Sequence, residues 1–183
     1  SRGQIVDEDA LYQEMVKGTN EAKNIIIEYA SFTCSHCADF HKEMLPFLQQ
    51  KFIDTGKVKF VYREVYFDKS GLWAGLLARC ASPQKYFGIV DLLYKKQATW
   101  AFEKSDKEIL KRLFSIGRQV GIEEEKIRAC LQNKNKSLNL IDAYLTNSKA
   151  DQITSTPTLV VNGKQLKYSS YNDLKARLDD LLN

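Results

Sequence analysis

Residues 25–46 leave this chain few choices. Ile25-Ile26-Ile27-Glu28-Tyr29-Ala30-Ser31-Phe32-Thr33 runs straight into Cys34-Ser35-His36-Cys37. Three adjacent isoleucines followed by a tyrosine have the β-branched, continuous apolar character of a strand buried on both faces. Beyond Cys37, apolar residues at Phe40, Met44, Leu45, Phe47, Leu48 and Phe52 fall at helical spacing. The order is strand, turn carrying two thiols, helix, which places Cys34 at or just before a helix N-terminus.

The first turn of a helix presents unpaired N–H groups and partial positive charge, both of which favour an anionic sulfur. A free thiol titrates near 8.5, and Cys-x-x-Cys motifs at helix N-termini can lower that value by several units. Cys34 is therefore the candidate nucleophile, with His36 offering a second cation beside it. Cys37, one turn further in, is the candidate resolving thiol. Glu28 interrupts the apolar strand, and a buried carboxylate is costly without a partner or a task. Six residues before Cys34, it could lie beneath the dithiol and exchange the Cys37 proton through water. The plain alternative is an edge-strand carboxylate facing solvent.

With 183 residues, 44% of them hydrophobic and 27% charged, the chain can build one good core with room for an inserted subdomain. No apolar run approaches the roughly 20 residues of a membrane span. Residues 1–24 lack the apolar core of a signal peptide, so an exported protein would be present here in processed form. The net charge of +4 is spread along the chain without a polybasic block. Nucleic acid is not an expected partner, and Lys95-Lys96 and Lys134-Asn135-Lys136 read as solvated helix faces. Four cysteines, an even count, suit an oxidising compartment. Cys80 and Cys130 lie on separate apolar stripes and face inward. A bond between them would close about fifty residues, worth roughly 4 kcal/mol by chain entropy; two buried free thiols fit these facts equally.

In chain order, residues 7–16 read as a short helix, 25–31 as a strand, and 34–55 as one helix kinked at Pro46, ended by Gly56. A second central strand follows at 57–67. Residues 70–152 read as four or five helices. Ser82-Pro83, Ser105 with Glu108, and Gly121 before Glu123-Glu124-Glu125 punctuate them. Leu110, Leu113, Phe114 and Gly117, then Leu138, Ile141 and Leu145, read as core faces. Strands at 158–161 and 164–168 flank the Asn162-Gly163 turn, a strong hairpin signal. Residues 171–182 form a last helix with Leu174, Leu178, Leu181 and Leu182 on one face. The first two strands, joined through a helix, should be parallel. Thr156-Pro157 stands just before the hairpin. It is either a trans proline closing a loop or a cis peptide packed against Cys34, which would offer Thr156 backbone groups to an extended chain.

Residues 28–37 and 155–163, taken together, resemble the thioredoxin superfamily and, within it, the DsbA family of thiol:disulfide oxidoreductases, over essentially the whole chain. The resemblance implies an α/β thioredoxin fold with an inserted all-helical domain, the former built from 1–69 and 153–183 and the latter from 70–152. It implies Glu28 as buried acid, Cys34 and Cys37 as the redox pair, His36 as the intervening histidine, and Thr156 and Pro157 as a cis-proline loop that binds substrate beside Ser35. An added cysteine pair is similar to the alphaproteobacterial branch and implies a Cys80–Cys130 disulfide. Ser35 stands where many members have proline and Thr156 where many have valine, and both positions tune the Cys34 thiolate. The implied activity is donation of the Cys34–Cys37 disulfide to reduced, unfolded exported proteins through a mixed disulfide on Cys34. No cofactor or metal beyond that redox-active disulfide is implied. A membrane quinone-linked DsbB-like partner would reoxidise a monomer in the periplasm. The alternatives are a disulfide isomerase or reductase, a zinc module using Cys34, Cys37 and His36 or His41, and a non-catalytic client-binding chaperone. A kappa-type glutathione transferase would share the helical insertion but not two thiols.

Overall fold

A computed structural model describes residues 7–183. The first six residues assigned above to the segment 1–69 lie outside the described residues. Among the described residues five strands, β1 (Met15–Lys17), β2 (Asn24–Ala30), β3 (Val58–Glu64), β4 (Thr158–Val161) and β5 (Lys164–Leu166), make one sheet in the order β1-β3-β2-β4-β5. β2 and β3 run parallel from Asn24 opposite Val58 to Ala30 opposite Glu64, as their helical connection requires. The other pairings are antiparallel. Asn162 and Gly163 both take positive φ, 49° and 86°, the geometry of a two-residue hairpin turn.

Residues 7–16 do not form the expected helix. A single 3-10 turn, Glu8–Ala10, leads to β1, which covers the free edge of β3. Residues 34–55 are not one kinked helix either. α1 (Ser35–Glu43) ends at Met44, α2 (Leu45–Leu48) restarts with Pro46 in its first turn, and a π-helical turn, Gln49–Ile53, completes the crossover. Proline in a first turn sacrifices no hydrogen bond, so the chain restarts rather than bends.

Six helices, not four or five, lie between β3 and β4. They are α3 (Lys69–Ala78), α4 (Tyr86–Lys95), α5 (Gln97–Trp100), α6 (Asp106–Gln119), α7 (Glu124–Leu131) and α8 (Lys134–Ala150). α5 is a single turn, too short to show a period. The Ser105 hydroxyl caps α6 by accepting from the Glu108 amide at 3.2 Å. The Ser82 side chain caps nothing, and Pro83 opens a 3-10 turn instead. On α8 the expected core face is turned outward: Leu138 is 65% and Leu145 56% exposed, and Leu140 is the buried residue. Leu181 of α9 (Tyr171–Leu182) and Phe67 are also exposed, because α9 buries Leu174, Leu178 and Leu182 and β3 has ended at Glu64.

One continuous core joins the sheet to the helices. Phe40, Leu48, Phe60 and Tyr62 pack in the same cluster as Leu77, Tyr86, Trp100 and Ile127. Polar ties reinforce it. Buried Glu64 at the end of β3 accepts from Arg79 Nε at 3.1 Å and from the hydroxyls of Tyr66 and Tyr86. Cys80 and Cys130 are joined by a disulfide between the end of α3 and α7.

Candidate active site

β2 ends at Ala30 and the chain turns through buried Ser31 and Phe32, so the residues that follow emerge at the carboxyl end of the central strands. Cys34 is the N-cap of α1, and its Sγ accepts from the Cys37 amide at 3.3 Å. This places the sulfur where the unpaired N–H groups of a helix start converge. The loop is held from two sides. Thr33 Oγ1 donates to Asp68 Oδ2 at 3.0 Å, and Gln97 Nε2 of α5 donates to the carbonyls of Phe32 and Cys34 at 2.8 and 2.9 Å. The Thr156–Pro157 peptide is cis, and the Thr156 carbonyl lies 3.7 Å from Cys34 Sγ.

Both motif cysteines are free thiols, Cys34 partly buried and Cys37 buried. A hydrogen bond from the Cys37 thiol is the largest influence on Cys34; burial opposes it, while Thr156 and the amides of Cys37 and His36 assist it, bringing the Cys34 pKa down to about 5. Burial, and then the neighbouring Cys34 sulfur, push Cys37 far the other way. The pair is therefore polarised, with one sulfur comfortable as an anion and the other needing its proton. His36 contributes its backbone amide. Its ring is exposed and makes no hydrogen bond among the described residues.

Glu28 is fully buried in the middle of the sheet, which rejects the solvent-facing alternative. Its two carboxylate oxygens face His41 Nε2 at 2.8 and 3.1 Å. His41 in turn lies on Tyr94, with ring centroids 4.3 Å apart, and meets Tyr62 edge-on at 5.4 Å. Sequence reasoning did not assign His41 this place. The signal was present, since His41 lies four residues after Cys37 on the inner face of α1 and a buried carboxylate asks for a donor. Gln97 was also missed, and no sequence signal points from a one-turn helix to a carbonyl 63 residues earlier.

Ser35 is exposed at the rim of the motif and, with His41, lines a cavity of about 770 Å³ between β1, α1, α2 and α4; Thr156 and Pro157 do not line it. The zinc alternative finds no donor set: His41 is committed to Glu28, and no group of three metal-capable side chains occurs among the described residues. What the arrangement can do is exchange one disulfide for another, with a stabilised leaving sulfur at the surface and a proton-holding group below.

Comparisons agree with this geometry. A family model described as Thioredoxin matches residues 11–180. A Rickettsia bellii protein provisionally named a protein-disulfide oxidoreductase is 35% identical over 91% of this chain, which spans 63% of that protein's length. Disulfide bond formation protein D of Bacillus subtilis is 25% identical over 90% of the chain and 75% of its own. The crystal structure of Wolbachia pipientis alpha-DsbA1 superposes with a TM-score of 0.80 at 25% identity, over 94% of this chain and 92% of that one.

Proposed function

Because this chain belongs to the thioredoxin family and is built like its DsbA members, we propose that it is a protein dithiol oxidase. A client thiolate attacks Cys34 Sγ of the Cys34–Cys37 disulfide. The new S–S bond is the mixed disulfide, and Cys37 Sγ leaves with the electron pair and takes up a proton. A second client thiolate then attacks the client sulfur of the mixed disulfide, expelling Cys34 as a thiolate and leaving the client oxidised by two electrons. The observation that carries this reading is the polarised pair: a Cys34 pKa of about 5 leaves roughly 99% of that sulfur ionised at pH 7, which makes it a good leaving group.

Thr156, beside the sulfur, is the natural contact for an extended client, since pairing through backbone groups reads no side-chain sequence. The clients on this reading are reduced, unfolded exported proteins, and a membrane quinone-linked DsbB-like oxidase regenerates the disulfide in the periplasm. The test is direct. The disulfide form, mixed with a reduced two-cysteine peptide, should oxidise it; Cys34→Ser should abolish turnover, and so should Cys37→Ser, which leaves Cys34 no partner with which to hold a disulfide. Equilibration with glutathione should favour the dithiol. A Cys34–Cys37 disulfide as resistant to glutathione as an ordinary structural bridge would overturn the oxidase reading, and efficient insulin reduction with no peptide oxidation would make the protein a reductase.

A further inference from the structure

The segment that carries Cys34 is tied to the helical insertion by one side chain. Gln97, the first residue of α5, is only 5% exposed, and its amide nitrogen donates to the Phe32 carbonyl at 2.8 Å and to the Cys34 carbonyl at 2.9 Å. Both side-chain hydrogens are thereby committed to the two carbonyls that bracket Thr33. We propose that Gln97 is a positioning residue through which the helical insertion stabilises the Cys34 thiolate over the Cys34–Cys37 disulfide. This deepens the oxidase reading above and rests on it.

The donor is fixed before it acts. α5 is one turn long, yet Trp100 at its end is fully buried, and the indole N–H donates to the Leu93 carbonyl of α4 at 2.9 Å. Phe32 is held by its ring as well, with centroids 5.3 Å from Tyr94 of α4 and 6.0 Å from Tyr62 of β3. A side chain locked at its root can hold the loop without first being ordered itself.

The two carbonyls do not depend on Gln97 equally. That of Cys34 also accepts from the amides of Cys37 and Ala38 at 3.1 and 3.2 Å, whereas the buried Phe32 carbonyl has no other donor among the described residues. Without Gln97 the chain must either leave that oxygen bare, at a cost, or turn it away. Turning it reorients the peptide just ahead of Cys34 and carries the sulfur off the Cys37 amide, which lies 3.3 Å away in the reduced protein. The two oxidation states feel that loss differently. An anionic sulfur draws its stability from such charge-assisted contacts, while a disulfide sulfur is neutral and gains little from them. The amide hydrogens of Gln97 also set partial positive charge against the loop, whereas the tie on its other flank, from Thr33 to Asp68, brings a carboxylate.

The experiment compares Gln97→Met with the unmodified protein. Methionine keeps the length and fills the space but has no N–H, so a role in packing alone predicts no change. On the proposal, the variant's Cys34–Cys37 disulfide should be about tenfold harder to reduce with glutathione, the usual worth of one hydrogen bond. Thiolate ultraviolet absorbance should place its Cys34 midpoint about one pH unit higher, the same factor of ten. With the variant folded, a change below about threefold in either measurement would overturn the proposal. Should it fail to fold, the unmodified protein decides. A bond that favours the dithiol is by linkage strengthened in the dithiol, so the Gln97 side-chain N–H should exchange with deuterium about tenfold more slowly in that form than in the disulfide form. Equal exchange in the two forms would reject the assignment. An unmodified protein that oxidises no peptide defeats the functional reading; one that oxidises it, while the variant leaves the glutathione equilibrium unmoved, defeats only the role of Gln97.

Discussion

Cys34 and Cys37 share a motif and a helix turn yet have opposite acidities, and the pH dependence of stability should display this. In the reduced protein the Cys34 pKa falls from 9.0 to about 5, so its ionisation stabilises the fold fully above pH 9, and that stabilisation is lost as pH falls through 5. Cys37 is raised, chiefly by burial, so above its ordinary range the unfolded chain ionises a thiol that the fold keeps protonated, and stability declines. Denaturant midpoints of the reduced protein should therefore climb from about pH 5 to pH 9 and fall beyond, and Cys34→Ser should remove the climb. A flat profile for the reduced, unmodified protein would contradict the assigned acidities. The identity of the two thiols and their place at a helix start were legible from spacing alone. Their inequality was only partly so, because the helix start is a local feature whereas the contacts from Thr156, and the burial of Cys37, come from distant segments.

Among the elements, α3 shows how tightly the helices are fitted to the sheet. A Cβ at Gly75 would meet the Glu64 carboxylate and stand 3.2 Å from the Tyr66 ring. Glu64 cannot swing aside freely, since Arg79, Tyr66 and Tyr86 all hold it. Gly75→Ala should cost about 2 kcal/mol, the usual scale for overpacking, although alanine has the better helix propensity. Urea denaturation measures this, and a stabilised variant would show that the carboxylate cluster yields. Strands β2 and β3, the hairpin turn and the α6 cap were readable because each rests on local chemistry: β-branching, positive φ at Asn-Gly, a serine before a helix. The exposed leucines of α8 were misread because helical period identifies a face without saying what covers it. Pro46 was read as a kink because its first-turn position depends on α1 ending at Met44.

At the scale of the whole molecule, the Cys80–Cys130 disulfide ties α3 to α7 across a sequence separation of 50. Loop-closure entropy values that at about 4 kcal/mol, so Cys80→Ser with Cys130→Ser should lower the denaturation free energy by about that amount. A loss below about 1 kcal/mol in urea titrations would mean that the shared core already restricts the unfolded chain's options. The exposed residues α8 carries do not alter this expectation, because the bond spans α3 to α7 and leaves α8 outside its loop. What the order of residues determined by itself was the mixed α/β plan, the parallel pair at its centre, the Cys34–Cys37 motif at a helix start and the proline next to Thr156, all consequences of short-range propensity and capping. What only tertiary structure decided was partnership: His41 beneath Glu28, Gln97 on the carbonyl of Cys34, Thr156 beside its sulfur. Those contacts join residues from 13 to 122 positions apart, and the burial that gives them their energy exists only after sheet and helices have closed over one core.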